Sequence, residues 1–323
     1  MKKMMYRDAV KAALQEEMSR DEKVFIMGED VAIVGGVFKT TKGLLEEFGE
    51  KRVRNTPISE AAIVSAAAGA AIAGARPVAE IMYIDFTASC MDSIANQVAK
   101  MRFKTGGKIS VPLVIRTQGG RGKSNGCTQS QSLESWFTHI PGLKVVVPST
   151  PFDVKGLLKT SIRDNDPVVF IEHKGLYQTY GDVPEEEYLI PLGKADIKRT
   201  GSDVTIITYS KQVLTSLEAA NKLEGEGISA EVLDLRSLVP LDFEAIAESV
   251  KKTGKVVVVH EACERSGFGA EIIAQIQAQL FDYLDAPMIR VAGKNIPVPH
   301  ASQAETESAP TENQIIKAVK SIL

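Results

Sequence analysis

The feature of this sequence that most constrains its fold is a repeated alternation between short apolar runs and longer amphipathic segments. The runs at residues 111–116 and 143–147 are continuously apolar, which is typical of strands buried on both faces of a sheet. A second series of the same kind, again separated by helical segments, follows at residues 203–209, 228–233, 255–259 and 287–291. Two successive βα series predict an α/β protein with two doubly wound parallel sheets.

Residues 176–193 separate the two series and differ from both in composition. They combine Tyr, Gly and Pro with the run Glu185-Glu186-Glu187 and show no clear period, which is typical of a linker. The sequence therefore predicts a first domain at residues 1–180 and a second at residues 194–323. The length of 323 residues agrees with this division, since domains average roughly 150 residues.

Helix signals are clearest at three places. Thr150 and Pro151 predict the start of a helix at residues 152–163, and Thr311 with Gln314 predicts a capping box before the last helix. Residues 86–101 also have the composition of a helix.

Composition and charge exclude several classes of protein. The net charge of −3 gives no basic excess for nucleic acid, and 44% hydrophobic residues are too many for a disordered chain. The most apolar run, residues 61–75, is too short to span a bilayer. We therefore expect neither nucleic acid nor a membrane as a partner.

The three cysteines, Cys90, Cys127 and Cys263, are far apart and form no CxxC pair. An odd number of scattered cysteines argues against a disulfide framework and against a zinc ribbon. We expect a reducing, cytoplasmic location.

Two catalytic motifs are matched only superficially. The segment Gly122-Lys123-Ser124-Asn125-Gly126 has the GxSxG pattern of a hydrolase, but five residues separate it from the preceding predicted strand. A phosphate-binding P-loop would require glycine at position 117, which is Thr. We interpret the segment as a flexible glycine-rich loop over a site.

None of the four histidines has metal-ligand spacing to another. They are His139, His173, His260 and His300. His260 ends a predicted strand, where ligands collect in doubly wound sheets, but a structural role is the favoured interpretation. For His139, the residues leave function and packing as open alternatives.

Glu60 begins an otherwise uncharged, alanine-rich helix at residues 59–74. A carboxylate in the first turn complements the helix dipole, and this explanation is sufficient on physical grounds. The same position would present an acid to a ligand beside an apolar wall. The small side chains allow close approach of another backbone, either within the domain or at a subunit interface.

A series of short segments along the chain is shared, in order, with a known family. They are Met27-Gly28-Glu29-Asp30-Val31, Gly35-Gly36-Val37-Phe38, Asn55-Thr56-Pro57-Ile58-Ser59-Glu60, Arg76-Pro77-Val78-Ala79-Glu80, Asp92-Ser93-Ile94-Ala95-Asn96-Gln97, Ser130-Gln131-Ser132-Leu133-Glu134, His139-Ile140-Pro141-Gly142-Leu143-Lys144-Val145-Val146, Asp234-Leu235-Arg236 and Pro240-Leu241-Asp242. Together they resemble the beta subunits of thiamine-diphosphate-dependent 2-oxo acid dehydrogenases. The similarity is greatest to the acetoin type and smaller to the pyruvate and branched-chain types. The resemblance implies a pyrimidine-binding thiamine diphosphate fold followed by a transketolase C-terminal-like domain.

The resemblance also implies a cofactor site. Glu60 matches the glutamate that bonds a ring nitrogen of the aminopyrimidine and so promotes formation of the thiazolium ylide. Phe86 matches the aromatic ring that packs against the aminopyrimidine, and Ile58 would contribute a backbone carbonyl. A potassium ion held mainly by backbone carbonyls in relatives would lie at Leu113, Ser161, Ile162, Asp164 and Asp166.

One absence implies a partner. The chain contains no Gly-Asp-Gly segment, which thiamine enzymes use to hold the diphosphate through Mg²⁺. By the resemblance, an alpha subunit with that motif would supply most of the Mg²⁺ site. The implied assembly is α₂β₂, it passes an acyl group to a lipoyl acyltransferase, and the isolated chain is expected to be inactive.

One departure from the family concerns catalysis. Where relatives have Gln-His-Ser-Gln, this chain has Thr128-Gln129-Ser130-Gln131, so Gln129 replaces the family histidine, and the stretch at residues 298–302 departs as well. Glutamine donates a hydrogen bond but carries no proton. Another acceptor or substrate, another catalytic group such as His139, and impaired chemistry are three explanations. Two alternative functions stay open: a split transketolase-like subunit that uses sugars, and a degenerate, non-catalytic subunit.

Overall fold

Two mainly parallel sheets organise the chain, which is described over all 323 residues by a computed structural model. The chain divides into two compact units. The first consists of Met1–Gly119 and Trp136–Leu192, and the second of Gly120–Ser135 and Gly193–Leu323. The segment Gly120–Ser135, which the sequence assigned by position to the first domain, thus packs with the second unit.

The first part of the chain, through residue 183, contains eight strands and six α-helices. In order they are β1 (Lys2–Met5), α1 (Tyr6–Arg20), β2 (Val24–Gly28), α2 (Leu44–Phe48), β3 (Val53–Asn55), α3 (Glu60–Ile72), β4 (Arg76–Ile81), α4 (Met101–Lys104), β5 (Val114–Gly119), α5 (Glu134–Thr138), β6 (Lys144–Val146), α6 (Pro151–Arg163), β7 (Val168–His173) and β8 (Tyr180–Val183).

The sheet of the first unit contains six parallel strands in the order β6-β7-β5-β4-β2-β3. β5 and β7 are buried along their whole length, although β5 includes the polar residues Arg116, Thr117 and Gln118. α1 packs against α6. The order places the carboxyl ends of β2, β3 and β4 side by side, which positions the segments that follow them.

The predicted start of α6 is confirmed. Pro151 is its first residue, and the Oγ1 atom of Thr150 accepts a hydrogen bond from the backbone N–H of Asp153 at 3.1 Å. The cap satisfies one of the backbone donors that a helix start leaves unpaired.

The segment predicted to be helical at residues 86–101 is helical, but mostly not as an α-helix. This segment forms a 3₁₀-helix at Ile84–Cys90 and a π-helix at Ser93–Val98. In the first of these, Thr87 Oγ1 donates to the carbonyl of Ile84 and Ser89 Oγ to that of Phe86. Such side-chain bonds compete with the regular helical ladder, and this competition is not visible in the apolar pattern.

The segment interpreted as a linker is largely built into the first unit. β8 pairs antiparallel with β1, and Ile190 packs on Gly156 of α6. A Cβ atom at Gly156 would lie 2.6 Å from Cγ1 of Ile190 and 2.8 Å from the ring of Tyr188. Glycine in the middle of α6 is therefore required by close packing.

The second unit continues the chain with six strands and five α-helices. They are β9 (Asp196–Arg199), β10 (Val204–Thr208), α7 (Gln212–Glu224), β11 (Ala230–Asp234), β12 (Ser237–Val239), α8 (Phe243–Thr253), β13 (Val256–Cys263), α9 (Gly269–Leu280), β14 (Ile289–Gly293), α10 (Ser302–Glu307) and α11 (Glu312–Lys320).

The main sheet of the second unit has the order β14-β13-β10-β11-β9, with β9 antiparallel at one edge and the other strands parallel. Its core includes Val204, Val232 and Val257 from the strands and Ile315 from α11. The predicted capping box at Thr311 and Gln314 is confirmed. No helix is long and apolar enough to cross a membrane.

Candidate active site

Glu60 lies in the first turn of α3, directly after the segment that follows β3. Hydrogen bonds fix this segment to the end of β2: Thr56 N–H donates to the carbonyl of Gly28 at 3.0 Å, and Asn55 Oδ1 accepts from Ala32 N–H at 2.8 Å. Glu60 is half-buried. It therefore occupies the carboxyl edge of a parallel sheet, where ligands bind in this class of fold.

Ser89 connects the carboxylate of Glu60 with the segment that carries Phe86. Its hydroxyl lies 3.1 Å from Oε2 of Glu60 and 2.8 Å from the carbonyl oxygen of Phe86. The structure thus brings two of the predicted cofactor residues together. Ser89 was missed by the sequence analysis, because a lone serine gives no signal until the 3₁₀-helix is known.

The ring of Phe86 is oriented by a series of aromatic contacts. Tyr83 meets it edge-on at a centroid distance of 5.4 Å, and Phe38 meets Tyr83 at 5.9 Å. Phe38 also packs at 4.8 Å against Tyr177. Edge-to-face pairs of this kind fix ring orientation. Phe86 is half-buried, so part of its ring is available to a ligand.

A network of buried charged residues is bonded to Tyr177, the last ring of this series. Tyr177 donates to Oε2 of Glu172 at 2.7 Å, and the guanidinium of Arg116 bonds to Glu172, Glu80 and Thr40. Burial raises the pKa of Tyr177 well above its ordinary value, and the charge of Glu172 adds to this effect. Because all these groups have partners, the network connects the three strands β4, β5 and β7.

Glu29 adds a second carboxylate near Glu60. Burial raises the pKa of Glu29, and the charges of Glu60, Asp30 and Glu80 raise it further. Neighbouring negative charges of this kind favour the protonated form of Glu29. Glu29 belongs to a segment that the family resemblance included, but its role was not predicted.

Ile58 precedes α3, and its side chain is 83% exposed. The site combines a half-buried carboxylate, an accessible aromatic face and an exposed backbone segment. These groups suit a flat, nitrogen-containing ring. No three His, Cys, Asp or Glu side chains are grouped to hold a metal ion. The residues at Glu60 fit the pyrimidine part of thiamine diphosphate.

Five predicted carbonyl ligands for potassium lie around the end of α6. Ser161 and Ile162 belong to its last turn, where backbone carbonyls lack helical partners. Arg76 donates to the carbonyls of Ile162 and Asp164 at 3.1 and 2.9 Å. Lys144 pairs with the side chains of Asp164 and Asp166 at 2.6 and 3.3 Å, and Val168 N–H bonds to the carbonyl of Leu113. The carbonyls of Leu113, Ile162 and Asp164 thus already accept hydrogen bonds within the chain, and potassium binding here stays a prediction.

Gln129 lies in the segment Gly120–Ser135 of the second unit. Arg121 fixes this segment, donating from Nη1 to the carbonyl of Glu261 at 2.7 Å and from its backbone N–H to Oε1 of Glu261 at 2.8 Å. Ser132 donates to the same Oε1 at 3.0 Å. Gln129 is half-buried, whereas His139 belongs to the first unit and is exposed.

Ser124 does not have the surroundings of a hydrolytic nucleophile. It lies in an irregular loop with φ 53°, not at a sharp strand-to-helix turn. Its backbone N–H donates to Oε2 of Glu305 at 2.9 Å. The structure thus agrees with the interpretation of this segment as a loop.

His260 has the structural environment that the sequence analysis favoured. It is completely buried, and Cβ atoms at Gly267 or Gly269 would collide with its ring. Tyr209 lies parallel to it at a centroid distance of 6.5 Å. Burial, aided by the charge of Arg290, lowers the pKa of His260 to about 4.

Comparison with known proteins agrees with this architecture. The transketolase pyrimidine-binding domain matches residues 2–179, and the transketolase C-terminal domain matches residues 193–315. A solved structure titled "Split gene transketolase, inactive beta4 tetramer" aligns with a TM-score of 0.83 at 22% identity, covering 99% of this chain and 98% of the other. The fold and site therefore define a transketolase-like, thiamine-binding type of protein.

Relatives that match over nearly the full length of the chain identify its family within this class. The chain is 47% identical to the pyruvate dehydrogenase E1 component subunit beta of Porphyra purpurea, over 100% of this chain and 98% of the relative. It is 48% identical to the 2-oxoisovalerate dehydrogenase subunit beta of Bacillus subtilis (94% and 93%). It is 47% identical to the acetoin:2,6-dichlorophenolindophenol oxidoreductase subunit beta of the same organism (98% and 96%). The chain belongs to the family of E1 beta subunits of 2-oxo acid and acetoin dehydrogenases.

Proposed function

We propose that this chain is the pyrimidine-binding half of a thiamine-diphosphate-dependent dehydrogenase that cleaves acetoin or a 2-oxo acid. The observation that carries the proposal is the Glu60 carboxylate, which Ser89 connects with the segment that carries Phe86. Relatives named for acetoin, pyruvate and 2-oxoisovalerate are equally similar, so the substrate is one member of this group.

Each site residue has a distinct task in this proposal. Thiamine diphosphate, when bound, supplies the carbon nucleophile and the electron sink. The carboxylate of Glu60 bonds a ring nitrogen of the aminopyrimidine and holds the proton there. Phe86 packs against the face of that ring, and the Ile58 carbonyl accepts from its amino group. Ser89 orients Glu60, so it is a positioning residue.

The rest of the catalyst is proposed to come from other chains. An alpha subunit with a Gly-Asp-Gly segment would hold the diphosphate and Mg²⁺, and two copies of each chain would form α₂β₂. A lipoyl acyltransferase would accept the acyl group. The carbonyls of Leu113, Ser161, Ile162, Asp164 and Asp166 would hold potassium. The free state of all three cysteines supports a cytoplasmic location.

The glutamine at position 129 supports a second candidate function. A split transketolase-like subunit that moves two-carbon units between sugars would not need the lipoyl-facing histidine of the family. A non-catalytic subunit would need neither the histidine nor the cofactor.

The test is an assay of the chain co-produced with an alpha subunit that contains Gly-Asp-Gly. Acetoin, pyruvate and 2-oxoisovalerate are offered with a lipoyl acceptor and, separately, with 2,6-dichlorophenolindophenol. We expect turnover of at least one of these substrates with the dye. Turnover of ketose phosphates alone would favour the sugar-transfer alternative, and failure to bind thiamine diphosphate would favour the non-catalytic one.

Glu60→Gln is the first variant to compare. Because glutamine cannot hold the proton, we expect loss of activity by a factor of about 10² to 10⁴ with unchanged folding. Ser89→Ala should lower activity less, since it removes one orienting bond. Glu46→Gln, which removes an exposed charge from α2, is the matched control. Full activity of Glu60→Gln would contradict the assignment.

A further inference from the structure

The chain segment at residues 300–308 is fastened to the glycine-rich loop that precedes Gln129. Oε2 of Glu305 accepts from the backbone N–H of Ser124 at 2.9 Å, and Oγ of Ser308 accepts from Nε of Arg121 at 2.9 Å. Glu305, Ser308 and Arg121 are all buried. Two independent bonds between buried groups therefore fix the position of this segment against the loop.

His300 lies at the start of the fastened segment and faces the same loop. Its Nδ1 atom is 3.7 Å from the position that a Cβ atom on Gly126 would take. The carbonyl of Gly126, whose φ is +80°, accepts a hydrogen bond from Gln129 N–H at 3.4 Å. His300 thus lies beside Gly126, the first residue of a four-residue turn that ends at Gln129, and such turns span less than about 7 Å. His300 is exposed and accessible to a ligand.

The other charged groups at this loop are unsuited to proton transfer near neutral pH. Lys211 lies 3.4 Å from the Cβ position of Gly122, Glu305 is bonded to Ser124, and Arg121 is bonded to Glu261. Lysine and arginine stay charged at this pH, whereas imidazole exchanges its proton between about pH 5 and 8. Gln129 donates hydrogen bonds only.

We propose that His300 carries the acid–base function that Gln129 cannot perform in acyl transfer to the lipoyl group. This inference rests on the proposed function of the chain. In this proposal, the titratable side chain at this turn comes from His300 and not from position 129.

The step that His300 serves is the reductive acylation of the lipoyl disulfide. The S–S bond breaks; one sulfur forms the thioester bond with the acyl carbon, and the other sulfur leaves as a thiolate and takes a proton. The two electrons come from the pair that substrate cleavage leaves on the acyl carbon. As the acyl hydroxyl loses one proton and its carbonyl forms, the bond between the acyl carbon and the cofactor would break, and the electron pair of that bond would return to the cofactor. His300 accepts that proton and donates one to the thiolate, so the step is balanced.

The experiment uses the holoenzyme with the alpha subunit and compares wild type, His300→Gln, Gln129→His and the double variant. Two rates are measured: lipoyl-dependent acyl transfer and reduction of 2,6-dichlorophenolindophenol, which bypasses the lipoyl step. We expect His300→Gln to lower the lipoyl-dependent kcat by about 10² or more while dye reduction changes less than about twofold. Its lipoyl-dependent rate should also lose the pH dependence of an imidazole. The double variant should regain most of the loss, because a histidine then returns to the turn.

The matched control is Glu307→Gln, an exposed substitution on the same segment, which should leave both rates unchanged. A lipoyl-dependent rate of His300→Gln equal to that of wild type overturns the inference. Equal loss of both rates, or no recovery in the double variant, also overturns it, because His300 would then act on structure alone. Absence of dye reduction in wild type would refute the proposed function itself, and this inference with it.

Discussion

At the scale of single residues, burial decides which ionisable side chains perform chemistry and which only pack. Glu60 is half-buried and has a hydroxyl partner, so its carboxylate is available to a ligand. His260 has no accessible surface and lies under Gly267 and Gly269. Glu60 follows a strand of a parallel sheet and His260 lies within one, β13, and their surroundings distinguish a candidate site from a core position.

The lowered pKa of His260 predicts a pH-dependent stability. The unfolded chain binds a proton near the ordinary pKa of 6.5, whereas the folded chain binds it only near 4. The contribution is therefore complete above about pH 6.5 and is lost as the pH falls towards 4. Between pH 7 and pH 5 we expect this group to remove about 2 kcal/mol from the free energy of unfolding.

Urea unfolding at both pH values checks this expectation, with His260→Gln and the exposed His139→Gln compared with wild type. The His260→Gln variant should lose less stability than wild type when the pH is lowered, and His139→Gln should follow wild type. An unchanged pH dependence in His260→Gln would refute the assignment.

At the scale of elements, α3 has two apolar faces with different environments. Ile63, Val64 and Ala67 are buried in the first unit, while Ala62 and Ala66 are exposed on the opposite face. One face of α3 thus packs within the unit, as the first alternative predicted, whereas a subunit contact at the other face stays a prediction. Ile58, exposed just before the helix, extends this apolar surface.

Ala66→Arg tests whether the exposed face of α3 is a subunit contact. We expect the variant to fold normally, because the side chain points to solvent in the single chain. Association with the alpha subunit or with a second copy should weaken by at least roughly 100-fold, since an unpaired buried charge costs about 3–5 kcal/mol. Analytical ultracentrifugation measures this. Ala278→Arg, on the exposed face of α9, is the control, and equal assembly of both variants would contradict the prediction.

At the scale of the whole molecule, we propose that the chain contains one half of a cofactor site. The residues around Glu60 suit a pyrimidine ring, but no group of acidic or histidine side chains is arranged for a metal ion. Membership in the E1 beta family implies an alpha subunit as the partner. Although the chain has two sheets of similar size, we therefore expect it to need a partner chain to complete an active site.

We therefore expect the purified single chain to be inactive. Addition of thiamine diphosphate and Mg²⁺ to the chain alone should give no turnover and only weak binding by calorimetry. Addition of an alpha subunit should restore both, because it supplies the diphosphate site. Substantial thiamine-dependent turnover by the single chain would contradict this expectation.

The sequence by itself determined the features that depend on local pattern. Continuous apolar runs gave the two sheets, Thr150 and Thr311 gave helix starts, and the segment ending at Glu60 gave the family. These features can be predicted from the sequence because burial and capping depend on residues that are close together in the chain.

Only the tertiary structure decided the features that depend on contacts between distant residues. It placed Ser89 on Glu60, 29 positions away, and replaced the predicted helix at residues 86–101 with 3₁₀ and π turns. It assigned the Gln129 loop to the second unit through Arg121 and Glu261, which are 140 positions apart, and set His300 beside that loop. The physical reason is that hydrogen bonds and packing act through space, and no local pattern in the chain records which distant side chain completes them.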